Sequence, residues 1–112
     1  VDRVDDPIAA EGVSFAKRRL EVQPGVRLQL FQWMPDRAHG PPILFVAGWI
    51  SLVSGWQPLL EVLVRRHPVY YLETREKRSA AIDERLMRPE SFTIGRLADD
   101  LVEAAVQLDL DN

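Results

Sequence analysis

Pro41-Pro42-Ile43-Leu44-Phe45-Val46-Ala47-Gly48-Trp49 is the stretch on which the fold turns. The prolines lead into Ile43–Ala47, an unbroken apolar run of the kind found in an interior strand covered on both faces. Gly48 breaks the run where α/β proteins commonly bring backbone close to a ligand. A second short strand is expected at Val69–Leu72. Between them Pro58 suits a first helical residue, and Leu59, Leu60, Leu63 and Val64 supply an inward stripe for a helix reaching about Arg66. Pro68 ends it. Two strands joined by a crossover long enough to hold a helix are expected to run parallel.

Toward the N-terminus the pattern changes from buried to alternating. Phe15–Glu21 and Val26–Trp33 read as two strands, with Pro24-Gly25 as the tight turn between them. In the second strand Val26, Leu28 and Leu30 share one face, while Arg27, Gln29 and Phe31 take the other. That alternation fits an antiparallel hairpin at a half-solvated sheet edge. Residues 1–13 read as a loosely held acidic leader, anchored by Ile8-Ala9-Ala10, and residues 14–112 as an incomplete α/β domain.

Toward the C-terminus, Glu73–Phe92 is expected to be mostly loop, with a helical turn around Ile82–Met87. Thr93 is placed to cap a helix from Ile94 to about Leu108. Its apolar face is read as Ile94, Leu97, Ala98, Leu101, Val102, Ala105 and Leu108. Asp99 and Asp100 are adjacent, point in different directions, and cannot form a facing acid/base pair. By α/β logic a further parallel strand is expected after this helix, so the chain reads as the front portion of a larger enzyme.

Composition narrows the functions. Of 112 residues, 46 % are hydrophobic and 28 % charged, a globular balance. The net charge of -3 gives no reason to expect nucleic acid or an anionic membrane as partner. Arg75, Lys77 and Arg78 cluster, but Glu73 and Glu76 are interleaved, so a solvated, partly self-paired loop is expected there. The absence of cysteine excludes disulfides, thiolate metal sites and cysteine nucleophiles. His39 and His67 are the only imidazoles, too few for a His-rich metal site. No nucleotide fingerprint is present, and no cofactor is expected. No apolar stretch is long enough to cross a bilayer. Val1–Pro7 lacks the order of a secretory signal, which leaves the cytoplasm as the default compartment.

The order of hairpin, buried strand, Gly-Trp loop, helix, Val-Tyr-Tyr-Leu strand, charged loop and Asp-Asp-Leu helix resembles the α/β-hydrolase fold family across roughly residues 15–110. In many members the buried strand ends in His-Gly, with a tryptophan about seven residues on. Here Ala47 stands in the His place, while Gly48 and Trp56 fit. The family pattern Asp-x-Arg-Gly-x-Gly-x-Ser meets Glu73–Ala80 only in Arg75 and, chemically, Glu73. Glu76 and Arg78 occupy the two glycine places, and Ser79 falls one place early. Ser91-Phe92-Thr93-Ile94 and Leu97–Leu101 look like the family's helix before the nucleophile strand.

The resemblance implies an α/β fold comprising the N-terminal part of such a sheet. It also implies ester or related acyl hydrolysis by a serine hydrolase completed elsewhere. The chain contains no Gly-x-Ser-x-Gly, and the family's nucleophile would lie just beyond Asn112. Half an oxyanion hole is implied at the backbone of Trp49, with Gly48 allowing close approach. Ile50 and Trp56 are expected in the wall of a pocket for a small apolar acyl substrate. The expected partner is a C-terminal portion of the same protein, or a second copy pairing along the uncovered strand. The competing reading is a non-catalytic binding or assembly module, to which the two lost glycines lend some weight.

Overall fold

A computed structural model describes residues 6–47 and 52–110. Gly48, Trp49 and Ile50 therefore lie outside the described residues. The sheet comprises β1 (Val13–Gln23), β2 (Val26–Pro35), β3 (Ile43–Val46), β4 (Val69–Leu72) and β5 (Ala81–Ile82). Its order is β1-β2-β4-β3, with β5 also paired to β2. Helix α1 (Gln57–Leu63) links β3 to β4, and α2 (Ile94–Gln107) follows β5. The register Ile43↔Val69 to Val46↔Leu72 is parallel, as the crossover requires. An antiparallel hairpin followed by parallel strands joined through a helix is the arrangement that the resemblance implies.

The hairpin forms as its alternation demands, turning at Pro24-Gly25 where Gly25 has φ +88°. Within the hairpin only β1 is an edge strand. β2 is interior because β4 takes the Leu30–Trp33 half of its other side and β5 the Val26–Arg27 end. Its sequence predicts this only in part: Phe31 and Trp33 bury the face that Arg27 and Gln29 leave polar. β3, expected to be covered on both faces, is half-buried at every residue and borders the described sheet opposite β1.

Two cores sit on the two faces. On one, Val69, Tyr71, Phe31 and Trp33 pack with Leu60 and Val64 from the α1 region. On the other, Val26, Leu28, Leu30 and Leu72 pack with Ala104 of α2, flanked by Leu101 and Leu108. Each fully buried aliphatic side chain contributes about 1.5–3 kcal/mol, so these alternating positions drive the assembly.

Both helices differ from expectation in detail. α1 stops at Leu63 because a turn over Val64–Arg66 presents the Arg66 carbonyl to the N–H groups of His39 (2.8 Å) and Gly40 (3.1 Å). Leu59 faces outward. On α2, Thr93 caps as expected, its hydroxyl accepting from the Arg96 N–H at 3.2 Å. Its buried line, however, runs through Asp100 and Ala104, leaving Ile94 72 %, Val102 65 % and Val106 68 % exposed. The sequence reading took the apolar residues as the inward face; burial follows the side on which Asp100 finds a partner.

In the segment 1–13, Ile8 and Ala10 are buried, and Asp6 adds an anchor absent from the sequence reading. Its carboxylate accepts from Trp33 Nε1 and the Ile8 N–H, each at 2.9 Å. Among the described residues no helix is long and apolar enough to cross a membrane.

Candidate functional site

β3 and β4 end together, since Val46 pairs with Leu72, so Ala47 and Glu73 leave the sheet side by side. In open α/β sheets the carboxyl ends of parallel strands are where ligands bind. Ala47, which precedes Gly48-Trp49 in sequence, leaves β3 at this end, and the charged loop Glu73–Ala80 leaves β4 beside it.

The loop is internally wired rather than solvated. The Glu73 N–H donates to the Gln29 carbonyl at 2.9 Å. Glu73 Oε1 accepts from Gln29 Nε2 (3.0 Å) and Ser79 Oγ (2.6 Å). Ser79, a place early for the family pattern, thus closes the loop onto Glu73. Glu76 Oε2 accepts from the Thr74 hydroxyl (2.6 Å) and Lys77 Nζ (2.8 Å). Burial opposes ionisation of Glu76, but the hydrogen bonds from Lys77 and Thr74, with a backbone bond and the Lys77 charge, hold its carboxyl below the usual range.

Arg75 turns inward and is only 2 % exposed. Its Nε and Nη2 grip Asp100 Oδ2 and Oδ1 at 2.7 and 2.6 Å, a bidentate pair. Nη1 donates to the Ser91 carbonyl (2.8 Å) and Nη2 also to Gln23 Oε1 (3.0 Å). One guanidinium therefore ties together the hairpin, the loop after β4, the turn before α2, and α2 itself. Sequence reasoning treated Arg75 as part of a surface cluster and missed Asp100. The available signal was position: Asp100 lies three residues after Leu97 and four before Ala104, on the buried line.

Beneath this end lies an aromatic tier. Tyr71 stacks on Phe45 (centroids 5.3 Å, 14°), and Trp56 meets Phe45 edge-on (5.3 Å, 70°). Trp56 is thereby held against the first core while keeping part of its surface open. The Tyr71 hydroxyl is buried with no hydrogen-bond partner among the described residues. Burial, reinforced by the nearby Glu73 carboxylate, pushes its pKa up to about 12.

The two imidazoles belong to the opposite end of the strands. His67 Nδ1 donates to the Pro41 carbonyl at 2.8 Å, and its ring covers Gly40 so closely that a Cβ there would collide with it. His39 is exposed in the loop before β3. Neither reaches Ser79, whose hydroxyl is committed to Glu73. Among the described residues no group of three or more metal-ligating side chains forms.

No family model and no curated protein sequence matches the chain. Solved structures do. The Cif epoxide hydrolase from Acinetobacter nosocomialis superposes with a TM-score of 0.67 at 18 % identity, over 92 % of this chain and 29 % of that one. An epoxide hydrolase from Vigna radiata gives 0.64 at 23 %, over 86 % and 28 %. Epoxide Hydrolase A from Mycobacterium thermoresistibile gives 0.63 at 23 %, over 86 % and 28 %. At these identities the likeness establishes the fold. The chain spans under a third of the length of each of these structures.

Proposed function

We propose that this chain, built on the N-terminal part of the α/β-hydrolase fold, supplies the oxyanion loop and one pocket wall of a hydrolase whose nucleophile, acid and base lie outside residues 1–112. The observation that supports the reading is the shared ending of β3 and β4, which puts Ala47, the residue before Gly48-Trp49 in sequence, beside Glu73 at one end of the sheet. A carbonyl attacked there gains negative charge on its oxygen, and a backbone N–H at Trp49 would stabilise it without needing any particular side chain. The absent histidine at Ala47 does not remove that donor. Gly48 leaves room for the substrate, while Ile50 and Trp56 line the apolar side.

The substrate class proposed is an ester or related acyl compound with an apolar body. An epoxide is the second reading, favoured by the names of the structural neighbours. Ring opening likewise leaves an oxygen that gains charge. The remaining catalytic parts would arrive with a C-terminal portion, as one polypeptide or as a partner chain seated along β3. A non-catalytic binding module is the alternative.

The test is a hydrolysis assay with p-nitrophenyl butyrate and with styrene oxide. It is run on the 112-residue chain and on the natural product that contains it. The chain alone is expected to match buffer and the natural product to turn over one substrate. Trp49→Pro, which deletes the N–H, is expected to lower kcat by about 10²–10³. A fully active Trp49→Pro protein would refute the oxyanion role. A natural product inert to both substrates would favour the binding module.

A further inference from the structure

Two apolar surfaces of this chain stand uncovered among the described residues, and they adjoin. On α2, Ile94, Ala98, Val102 and Val106 recur every four residues and form one stripe along the helix. All four are exposed. The helix meets β1 by its other flank, where Gln107 Nε2 donates to the Glu21 carbonyl at 2.7 Å. The stripe therefore faces away from β1, on the β3 side of the helix. On β3, Leu44 and Val46 reach the same core as Ala104 of α2 but are only half-buried.

The backbone of β3 has a free side as well. The Ile43 N–H donates to the Pro68 carbonyl, on the β4 side, at 2.8 Å. The alternation of a strand turns the N–H and C=O groups of Leu44 and Val46 the other way. No described strand pairs with them there. Such an edge is a template for another strand.

The faces on which the helices lie select the occupant. α1 packs on the face of Val69 and Tyr71 and carries the chain from β3 to β4. α2 packs on the opposite face, with Leu72. Crossovers between parallel strands are right-handed. A right-handed connection over the opposite face must step the opposite way, from β4 back past β3, which is where the free edge lies. As the chain steps further from β1, the same rule keeps the next helix on the face of α2, beside the stripe. Handedness thus favours the polypeptide's own continuation over a second copy. The solved structures leave length for it, since this chain spans under a third of each.

We infer that the polypeptide following α2 lays a parallel strand on the free edge of β3 and then a helix along the Ile94–Ala98–Val102–Val106 stripe. The strand takes up the backbone groups of Leu44 and Val46, and the helix covers their side chains. Ala98 sets the point of closest helix approach. A hollow of about 360 Å³ bordered by Val102, Val106 and Leu110 receives an apolar side chain of that helix. This names the seat of the C-terminal portion proposed above and rests on that portion, though not on its chemistry.

The test uses the natural polypeptide that contains this chain. Residues 1–112 hold no cysteine, so Val102→Cys, Val106→Cys and Arg96→Cys each place one new thiol on α2. Arg96 is exposed on the other flank. Maleimide labelling, read by mass on the α2 peptide, is expected to be at least about tenfold slower at positions 102 and 106 than at 96. Amide exchange in the unsubstituted polypeptide is expected to be as slow at Leu44 and Val46 as at Ile43 and Phe45. Equal labelling at the three positions, or fast exchange at Leu44 and Val46, would overturn the inference. So would a natural polypeptide ending at residue 112, or protection that fades on dilution, the mark of a second copy. A protected polypeptide inert to ester and epoxide alike would uphold this seat and refute the hydrolase reading alone.

Discussion

Removing the Asp100 carboxylate while leaving Arg75 in place tests the principal tie in this structure. Asp100 is 4 % exposed and Arg75 2 %, and two of the four hydrogen bonds from the guanidinium end on that carboxylate. In Asp100→Ala the positive charge stays buried with two neutral acceptors, Ser91 O and Gln23 Oε1. Breaking one side of a buried pair costs about 3–5 kcal/mol, a large part of the ~5–15 kcal/mol that stabilises an ordinary domain. For a domain of this size that corresponds to a melting point lower by at least about 10 °C. Urea denaturation followed by tryptophan fluorescence gives the value directly. Asp99→Ala, one residue away and exposed, is expected to change stability by less than about 0.5 kcal/mol. Removing both partners, as in Arg75→Met with Asp100→Leu, should recover most of the loss because no orphan charge remains. A loss under about 1 kcal/mol in Asp100→Ala is what a solvent-screened pair gives. It would refute the claim that burial makes this tie strong.

Tyr71→Phe deletes a buried hydroxyl with no partner among the described residues, so stability at neutral pH should hold or rise by about 1 kcal/mol. Because the folded pKa is raised from 10.0 to about 12, the unfolded chain ionises first. The tyrosine contribution is therefore intact below pH 10 and falls by about 2–3 kcal/mol between pH 10 and 12. Denaturation at pH 9 and 11.5 should show that loss in the parent and not in Tyr71→Phe; parallel losses would mean the hydroxyl is open to water. Thr93→Ala removes the α2 cap and should cost about 1 kcal/mol, read by thermal melting. Gly40→Ala drives a methyl into the His67 ring and should cost about 1–3 kcal/mol. Adding His67→Ala should return part of that loss, a coupling measurable in a double-mutant cycle.

The four longer strands, the hairpin and the parallel pair were legible because they rest on period and run length, whereas the pairing of β2 with β4 was not. Ile43–Ala47 and Val69–Leu72 are apolar enough to be strands in almost any context, and the crossover between them sets their relative direction. What escaped depended on residues distant in sequence. β5 is a two-residue strand whose identity comes from Val26 and Arg27 across the sheet, not from Ala81-Ile82 itself. The buried face of α2 was misjudged because hydrophobicity names Ile94 and Val102, whereas the Arg75 guanidinium draws Asp100 inward. At the candidate site, Gly48, Trp49 and Ile50 were marked by their place after a buried strand. The Glu73–Ser79–Gln29 wiring has no local signature, since each partner is an ordinary polar residue until the fold brings them together.

The double pairing of β2 also orders events in time. β1 meets β2 across the short Pro24-Gly25 turn, a local closure on the microsecond scale (about 1–10 μs for an isolated hairpin). β4 docks on β2 only after the chain has passed through β3 and α1, a far longer closure whose entropy must be met before any contact repays it. The hairpin is thus the template on which the rest condenses. β3, whose ladder partner among the described strands is β4, can register only after β4 has docked. β3, the strand that leads into the segment proposed to stabilise the reacting oxygen, is therefore expected to be among the last strands to take shape. A weakened hairpin would slow the maturation of that site before it changed anything the finished site does.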